Sequence, residues 1–490
     1  MRLRILLLFT LLCCKSLLFS QTTVSNPSKS DFSQALTILA SDSLQGRKAN
    51  GRGGSLAADY ISSRMHSYKL KAYNNFEYYY QLFEIEEHTI KKTTLQIKRG
   101  NHKAISLSAE KDFEITPTTN SIQKKQAEVV FASYGLDVSK ENYDDYKKLD
   151  VKNKIVVILS GFPDDQDTTS STYKKFKNIF PEENDLEETK LKTAINKGAI
   201  ALIIIETRKK FIPKNKENEV FHSLKNAITT SIPVFRISKT AAENLFSKSN
   251  IPLKSELTST SLKNVKINFS IELKHETSYV ANVLGLIPGK DTTKTIIIGA
   301  HYDHLGIKND SIYNGADDNA SGTSGMLALA KKWSESNIKP EYNILFAAWT
   351  AEEMGLLGSE YFVENLNDQK NLLCINMDMI SRSSPNDKTH RILSIGTQKE
   401  TEYLKKIAGE SNARLQNPFT LDLWETNGHS GSDYASFTAK GIPVMTFFSG
   451  FHEDYHTPGD KASKVDLDKM QDVLFIVNNS LLKFIENQHN

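Results

Sequence analysis

Five short stretches of this chain combine imidazoles and carboxylates at spacings that suit metal chemistry. His301-Tyr302-Asp303 follows the apolar run 296–299. An imidazole there can bind a cation while the carboxylate two residues on supports it. Asn314-Gly315-Ala316-Asp317-Asp318-Asn319-Ala320-Ser321-Gly322 sets two adjacent Asp residues in a glycine-bounded turn. One suffices as a helix cap; a second allows a carboxylate to bridge two cations about 3.5–4 Å apart. Glu352-Glu353 follows the run 344–348 and offers one ligand beside one general base. Asp378 follows the run 372–377, where burying a carboxylate is costly without a counter-charge. His456, in Tyr455-His456-Thr457-Pro458, belongs to a loop after the run 444–448.

Each stretch alone has an ordinary structural reading. Together they supply two His and three carboxylates as ligands, with one Glu to spare. A shared Asp gives each of two cations three protein contacts and leaves room for water, the open arrangement of a catalytic site. Mixed imidazole and carboxylate donors favour zinc over manganese or cobalt.

These residues need elements to position them. From 279 onward, apolar strands (296–299, 344–348, 372–377, 392–395, 444–448) alternate with helices (325–334, 400–411). That pattern predicts an α/β fold whose sheet is mostly parallel and covered by helices on both faces. Ligands then gather at the carboxyl ends of the strands. Upstream, 31–66 predicts two helices around a loop rich in Gly and Arg, and 77–115 predicts short β-type alternation. Residues 121–272 read as a separate small α/β module. It has strands at 129–131, 155–159, 199–205 and 231–237, a helix at 190–197 and a polar loop over 163–189. Pro233 predicts an edge position for its strand.

The chain opens with Arg2 and Arg4, an apolar run 5–12 and a small residue, Ser20. This predicts a cleaved signal peptide and an exported protein, secreted or periplasmic. No small residue precedes Cys13, which disfavours a lipid anchor on Cys13 or Cys14. Cleavage leaves Cys374 alone, so no disulfide can form within the chain, and its apolar flanks make it a buried thiol. Basic residues number 61 against 58 acidic, and no basic stripe carries interleaved aromatics, which argues against nucleic-acid binding. No later segment is long and apolar enough for a membrane helix.

Five motifs, in this order, resemble the M28 family of zinc metallopeptidases: Gly299-Ala300-His301-Tyr302-Asp303, Gly315 to Gly322, Glu352-Glu353-Met354-Gly355, Asn376-Met377-Asp378-Met379 and Tyr455-His456-Thr457-Pro458. The resemblance covers 279–490 and extends to 39–70. It implies a zinc-peptidase type of mixed, mostly parallel sheet and two Zn2+ per chain. His301, Asp318 and Asp378 would hold one zinc; Asp318, Glu353 and His456 would hold the other. Glu352 would be the general base, Asp303 would support His301, and Tyr455 would hydrogen-bond the tetrahedral oxyanion. The choice of Asp318 over Asp317 as the bridge rests on the resemblance. Residues 121–272 resemble the protease-associated (PA) domain often inserted in this family, α/β or β-rich, which shapes substrate access.

The implied division is a signal peptide at 1–20, an N-terminal segment of the catalytic domain at 21–120, the PA-like insert at 121–272 and the di-metal catalytic domain at 273–490. The implied activity is hydrolysis of the N-terminal bond of peptide substrates. A carboxypeptidase or dipeptidase of the same fold stays open, because Arg382 near Asp378 could clamp a C-terminal carboxylate. A single-zinc glutaminyl cyclase or a non-catalytic binding relative fits the full ligand set less well. Ser432-Asp433-Tyr434 departs from the Ser-Asp-His of many relatives. Phe447, Phe448 and Phe451 are candidates for an apolar pocket, though strand packing accounts equally for the first two.

Overall fold

The computed structural model describes residues 24–116, 120–181, 183–213, 218–225, 232–246, 259–366, 370–426 and 431–489. The expected signal peptide at 1–20 lies outside the described residues.

Apolar runs without alternation need cover on both sides. The strand Asp291–His301 has it: Ile296 and Ile298 pack into one core, Ile297 into another. The first core includes the helices Lys29–Leu39, Arg52–Ser67, Gly322–Glu335 and Leu467–His489. The second includes Phe362 and Phe437 of the helices Leu357–Glu364 and Tyr434–Ala439. Each fully buried Ile, Leu or Phe stabilises by about 1.5–3 kcal/mol, so the two covered faces hold this half together.

The strand order in this half is Thr420–Glu425, Ile392–Thr397, Val444–Phe448, Lys370–Met377, Asp291–His301, Tyr342–Trp349, Thr260–Ile287. Four of the six pairings are parallel, and two are antiparallel. The same sheet continues into a second half through Ile122–Phe131, Ile155–Leu159, Ala201–Ile205, Val234–Ile237 and Phe113–Ile115.

Two long strands join the halves. Tyr80–Arg99 pairs antiparallel with Thr260–Ile287 along its length, with a register shift between Glu272 and Leu273. Near one end, Phe83, Ile85 and Val280 pack against Ala351 and Leu357. Towards the other, Ile90, Leu95, Ile97 and Val265 to Leu273 contribute to the core of the second half.

Three local expectations change. The segment 163–189 is not a loop: it holds the helix Ser171–Ile179 and the start of Glu183–Asn196. Ser170 caps the first of these by accepting the Tyr173 N–H at 2.9 Å. Its charged sequence hides a small apolar stripe, and Phe176 packs with Phe162, Phe180 and Leu186. Val234–Ile237 is not an edge strand, since it lies between Ala201–Ile205 and Phe113–Ile115. Pro233 stands just before it, where no ladder N–H is needed. The short alternation expected over 77–115 is instead dominated by the 20-residue strand.

Candidate active site

Parallel pairing sets the carboxyl ends of three strands side by side. His301 ends one strand, Asp378 follows Met377 at the end of the next, and Glu352 and Glu353 follow Trp349 after a short turn. Asp318 comes from the segment Ala316–Ser321, which leads into the helix Gly322–Glu335. His456 arrives from the loop after Val444–Phe448. Ala351, Met379 and His456 all adopt left-handed backbone angles, at φ of 56°, 52° and 54°. Such conformations are uncommon for residues with a side chain and tend to collect at functional sites.

The side chains converge in two groups that share Asp318. Its Oδ1 lies 3.5 Å from His301 Nε2, which is also 3.4 Å from Asp378 Oδ1 and 4.0 Å from Glu352 Oε2. Its Oδ2 lies 3.1 Å from His456 Nε2, which is 3.3 Å from Glu353 Oε2. The backbone carbonyl of Asp303 approaches His301 Nδ1 at 3.2 Å, while the carboxylate accepts the N–H groups of Glu352 and Glu353 at 3.1 and 3.4 Å. Asp303 thus ties the His301 loop to the paired Glu residues.

Asp317 does not join His301 and His456; it lies 3.6 Å from His452 Nε2. Its carboxylate accepts the N–H groups of Ser381 and Arg382 at 3.0 and 2.9 Å. Asp460 in turn accepts the N–H groups of Asp317 and Asp318. Arg382 Nη2 pairs with Asp454 at 2.7 Å, and Nη1 lies 3.7 Å from Asp460.

Two residues that sequence reading did not single out belong to this framework. His304 is buried, with Nδ1 2.7 Å from Glu353 Oε1. Arg47 is fully buried and donates to the carbonyls of Leu39, Tyr302, Asn314 and Gly315, pinning the His301 and Asp318 segments together. Gly46 makes that approach possible: a Cβ there would stand 2.4 Å from the Tyr313 carbonyl oxygen, at a φ of 67°. The only available signal was an Arg inside a glycine-bounded loop, since its partners lie far away in sequence.

So many buried carboxylates require protons, cations or imidazolium partners. Burial pushes Glu352 well above the carboxylate range; His301 opposes and Asp378 reinforces that shift. Burial raises Asp303 to about 7. Burial would lower His456, but its bonds to Asp318 and Glu353 prevail and raise it to about 9. Glu353 is held well below its ordinary value, against its own burial, by His304 and His456.

A cavity of about 360 Å³ opens beside Asp318, Glu352, Asp378 and His456. Its other walls include Trp424, Tyr434, Phe448, Phe451 and Tyr455. Phe447 faces the core instead. Tyr434, at the departure from Ser-Asp-His, meets Trp424 edge-on with ring centroids 5.8 Å apart. Cys374 is fully buried, and burial raises its thiol well above the ordinary range.

The chain is therefore an α/β protein of two joined halves, with an acid–imidazole cluster at the carboxyl edge of the larger one. Residues 282–481 match the model of peptidase family M28, and residues 125–245, ahead of them in the chain, match that of the PA domain. It is similar to leupeptin-inactivating enzyme 1 of Streptomyces exfoliatus, 32% identical over 204 residues, covering 40% of this chain and 42% of that protein. It is also similar to leucine aminopeptidase 2 of Arthroderma otae, 29% identical over 198 residues, covering 38% and 37%. The chain thus spans about two fifths of the length of these curated relatives. Its fold is shared with an aminopeptidase from Aneurinibacillus sp. strain AM-1, with a TM-score of 0.57 at 21% identity over 94% of each chain.

Proposed function

We propose that this chain is an exported di-zinc aminopeptidase. A cation fits the residues present. His301 Nε2 and Asp378 Oδ1 are buried 3.4 Å apart, and neither has a hydrogen-bond partner among the described residues. Such orphaned atoms are costly unless something binds both. His301, Asp318 and Asp378 would hold one zinc, and Asp318, Glu353 and His456 the other. Mixed nitrogen and oxygen donors suit that ion. When bound, paired zinc ions supply Lewis acidity and a water acidic enough to react near neutral pH.

The chain's own residues account for the rest. The Glu352 carboxylate stands beside His301, where it can take a proton from the attacking water and pass it to the leaving amine. Tyr455 lines the cavity, and its ring stacks on His456 with centroids 3.9 Å apart. Its hydroxyl would donate to the substrate carbonyl oxygen as charge develops there, a contribution of roughly 2.7–4 kcal/mol for such donors. Burial, reinforced by the nearby carboxylates, raises the phenol above its ordinary range and keeps that proton in place.

The single observation that favours the amino terminus is the charge of the cavity. Beyond the residues that would hold zinc or act as base, its described lining offers the carboxylate of Asp422 and no Lys or Arg. A free ammonium suits this wall, whereas a C-terminal carboxylate would need a cation. Arg382 is engaged with Asp454 and does not line the cavity. The name of one similar protein, leucine aminopeptidase 2, agrees with this reading. Export rests on residues 1–20; among the described residues, no helix is long and apolar enough to cross a membrane.

The test compares aminoacyl-4-nitroanilides with N-acetylated peptides bearing a free carboxylate. Cleavage of the first and not of the second is expected. The reverse result identifies a carboxypeptidase and defeats the reading.

A further inference from the structure

We infer that the cavity beside the metal-type cluster selects a basic side chain, arginine above all, on the residue carrying the free amine. This rests on the amino-terminal reading above and adds the substrate class.

Register supplies the first argument. Phe448, Ser394 and Asp422 stand opposite one another on the adjacent strands Val444–Phe448, Ile392–Thr397 and Thr420–Glu425. Asp378, one residue past the end of the fourth strand Lys370–Met377, continues this row: Met377 pairs with Phe447, and the Asp378 N–H donates to the Phe447 carbonyl. The row therefore runs from the cluster at Asp378 to Asp422 across three strand spacings, about 14 Å. A leucine side chain held at the cluster ends far short of Asp422. A side chain with a long stem and a cationic tip extends towards it.

The walls supply the second. One row further along the same face, Thr446, Gly396 and Trp424 are aligned. Gly396 leaves room for the indole: a Cβ there would lie 2.5 Å from Trp424 Cζ2. The cavity is also lined by a ladder of rings, Phe448 to Phe451 and Phe451 to Tyr455, each with centroids 4.8 Å apart. Aromatic walls suit a flat guanidinium and its methylenes, which stack on rings as an ammonium does less well.

Charge supplies the third. Asp422 is exposed on the cavity side, and its Oδ2 accepts the Ser394 hydroxyl at 2.7 Å, which aims the carboxylate. With no Lys or Arg in the described lining, no basic neighbour on that wall competes for it.

The experiment measures kcat/KM of the zinc-loaded full chain on Arg-, Lys-, norleucine- and Leu-4-nitroanilide. Norleucine provides an unbranched apolar stem without charge. Arg and Lys should exceed norleucine by at least about tenfold, the scale of a charge-assisted bond together with a cation–π contact. D422N should lower Arg and Lys by at least about tenfold more than norleucine, and D422K should invert the order. Free arginine should inhibit competitively better than free norleucine, and D422N should remove that difference. Equal turnover of Arg and norleucine by the parent chain, or a ratio that ignores both variants, overturns the pocket assignment while leaving the aminopeptidase intact. Failure to cut any aminoacyl-nitroanilide while cutting N-acetyl peptides overturns the amino-terminal reading, and the selectivity proposal with it.

Discussion

Nδ1 of His304 lies 2.7 Å from Oε1 of Glu353, so one oxygen of that carboxylate is already occupied and Oε2 is left to face His456. Its neighbour Glu352 has no such tether among the described residues and lies nearer His301, on the cavity side. Two adjacent glutamates are thereby given different surroundings.

That difference predicts different outcomes for the same substitution. Glu352→Gln should lower kcat by about 10²–10⁴-fold while metal content stays near that of the parent chain, because the amide cannot accept a proton. Glu353→Gln should lower metal content at one site. Metal analysis after dialysis, run beside turnover, separates the two. Loss of metal from the Glu352 variant would make it a ligand instead.

Asp318 faces both groups, with one oxygen towards His301 and the other towards His456. The dialysed chain should retain close to two zinc ions, as a shared carboxylate requires. Asp318→Ala should reduce both occupancies together, whereas Asp378→Ala should chiefly reduce one. A one-metal chain with full activity would contradict the bridge.

Arg47→Lys should be destabilising despite conserving charge. A lysine cannot span the four carbonyls that the guanidinium reaches, and buried acceptors left without donors cost about 1–3 kcal/mol each. Denaturant unfolding should register the loss, and zinc affinity should fall with it. An unchanged midpoint would show the pin to be dispensable.

Asp31 offers a pH test away from the metal cluster. Its buried carboxylate pairs with Lys331 and Lys332 at 2.8 and 3.0 Å and accepts the Ser28 N–H. Burial alone would raise its pKa, but these partners prevail and hold it well below the usual carboxylate range. Because the folded value is depressed, the stabilisation is fully present above the ordinary Asp value of 3.8 and fades as pH falls below it. Asp31→Asn should cost about 1.5–3 kcal/mol at pH 7, and the gap to the parent should narrow in acid. A gap independent of pH would exclude the ion pairs as its source.

The candidate site is legible in the sequence where its chemistry is local. His301, Asp318, Glu352, Glu353, Asp378 and His456 stand out because each follows an apolar strand or occupies a glycine-bounded turn. The division of labour between Asp317 and Asp318 was not legible, since it depends on main-chain N–H groups from the distant Ser381 and Arg382. Arg47 was hidden for the same reason. The strand Thr420–Glu425 is hard to read in the sequence because it is short and largely exposed, with only Leu421 and Trp424 partly buried. The helix Ser171–Ile179 is hidden because one buried ring, Phe176, is too small a stripe to read among charged neighbours.

The long antiparallel pair Tyr80–Arg99 and Thr260–Ile287 also says something about descent. The chain leaves the larger half on one strand and returns on the strand beside it, so the excursion begins and ends about one strand spacing apart, near 4.8 Å. Lengthening the chain that closes so narrow a gap adds only about 0.6 kcal/mol of loop-closure cost per doubling. The pair acts as a socket. A plain hairpin turn or a whole folded unit can be spliced there without shifting the register of the host strands or the loops that carry its chemistry.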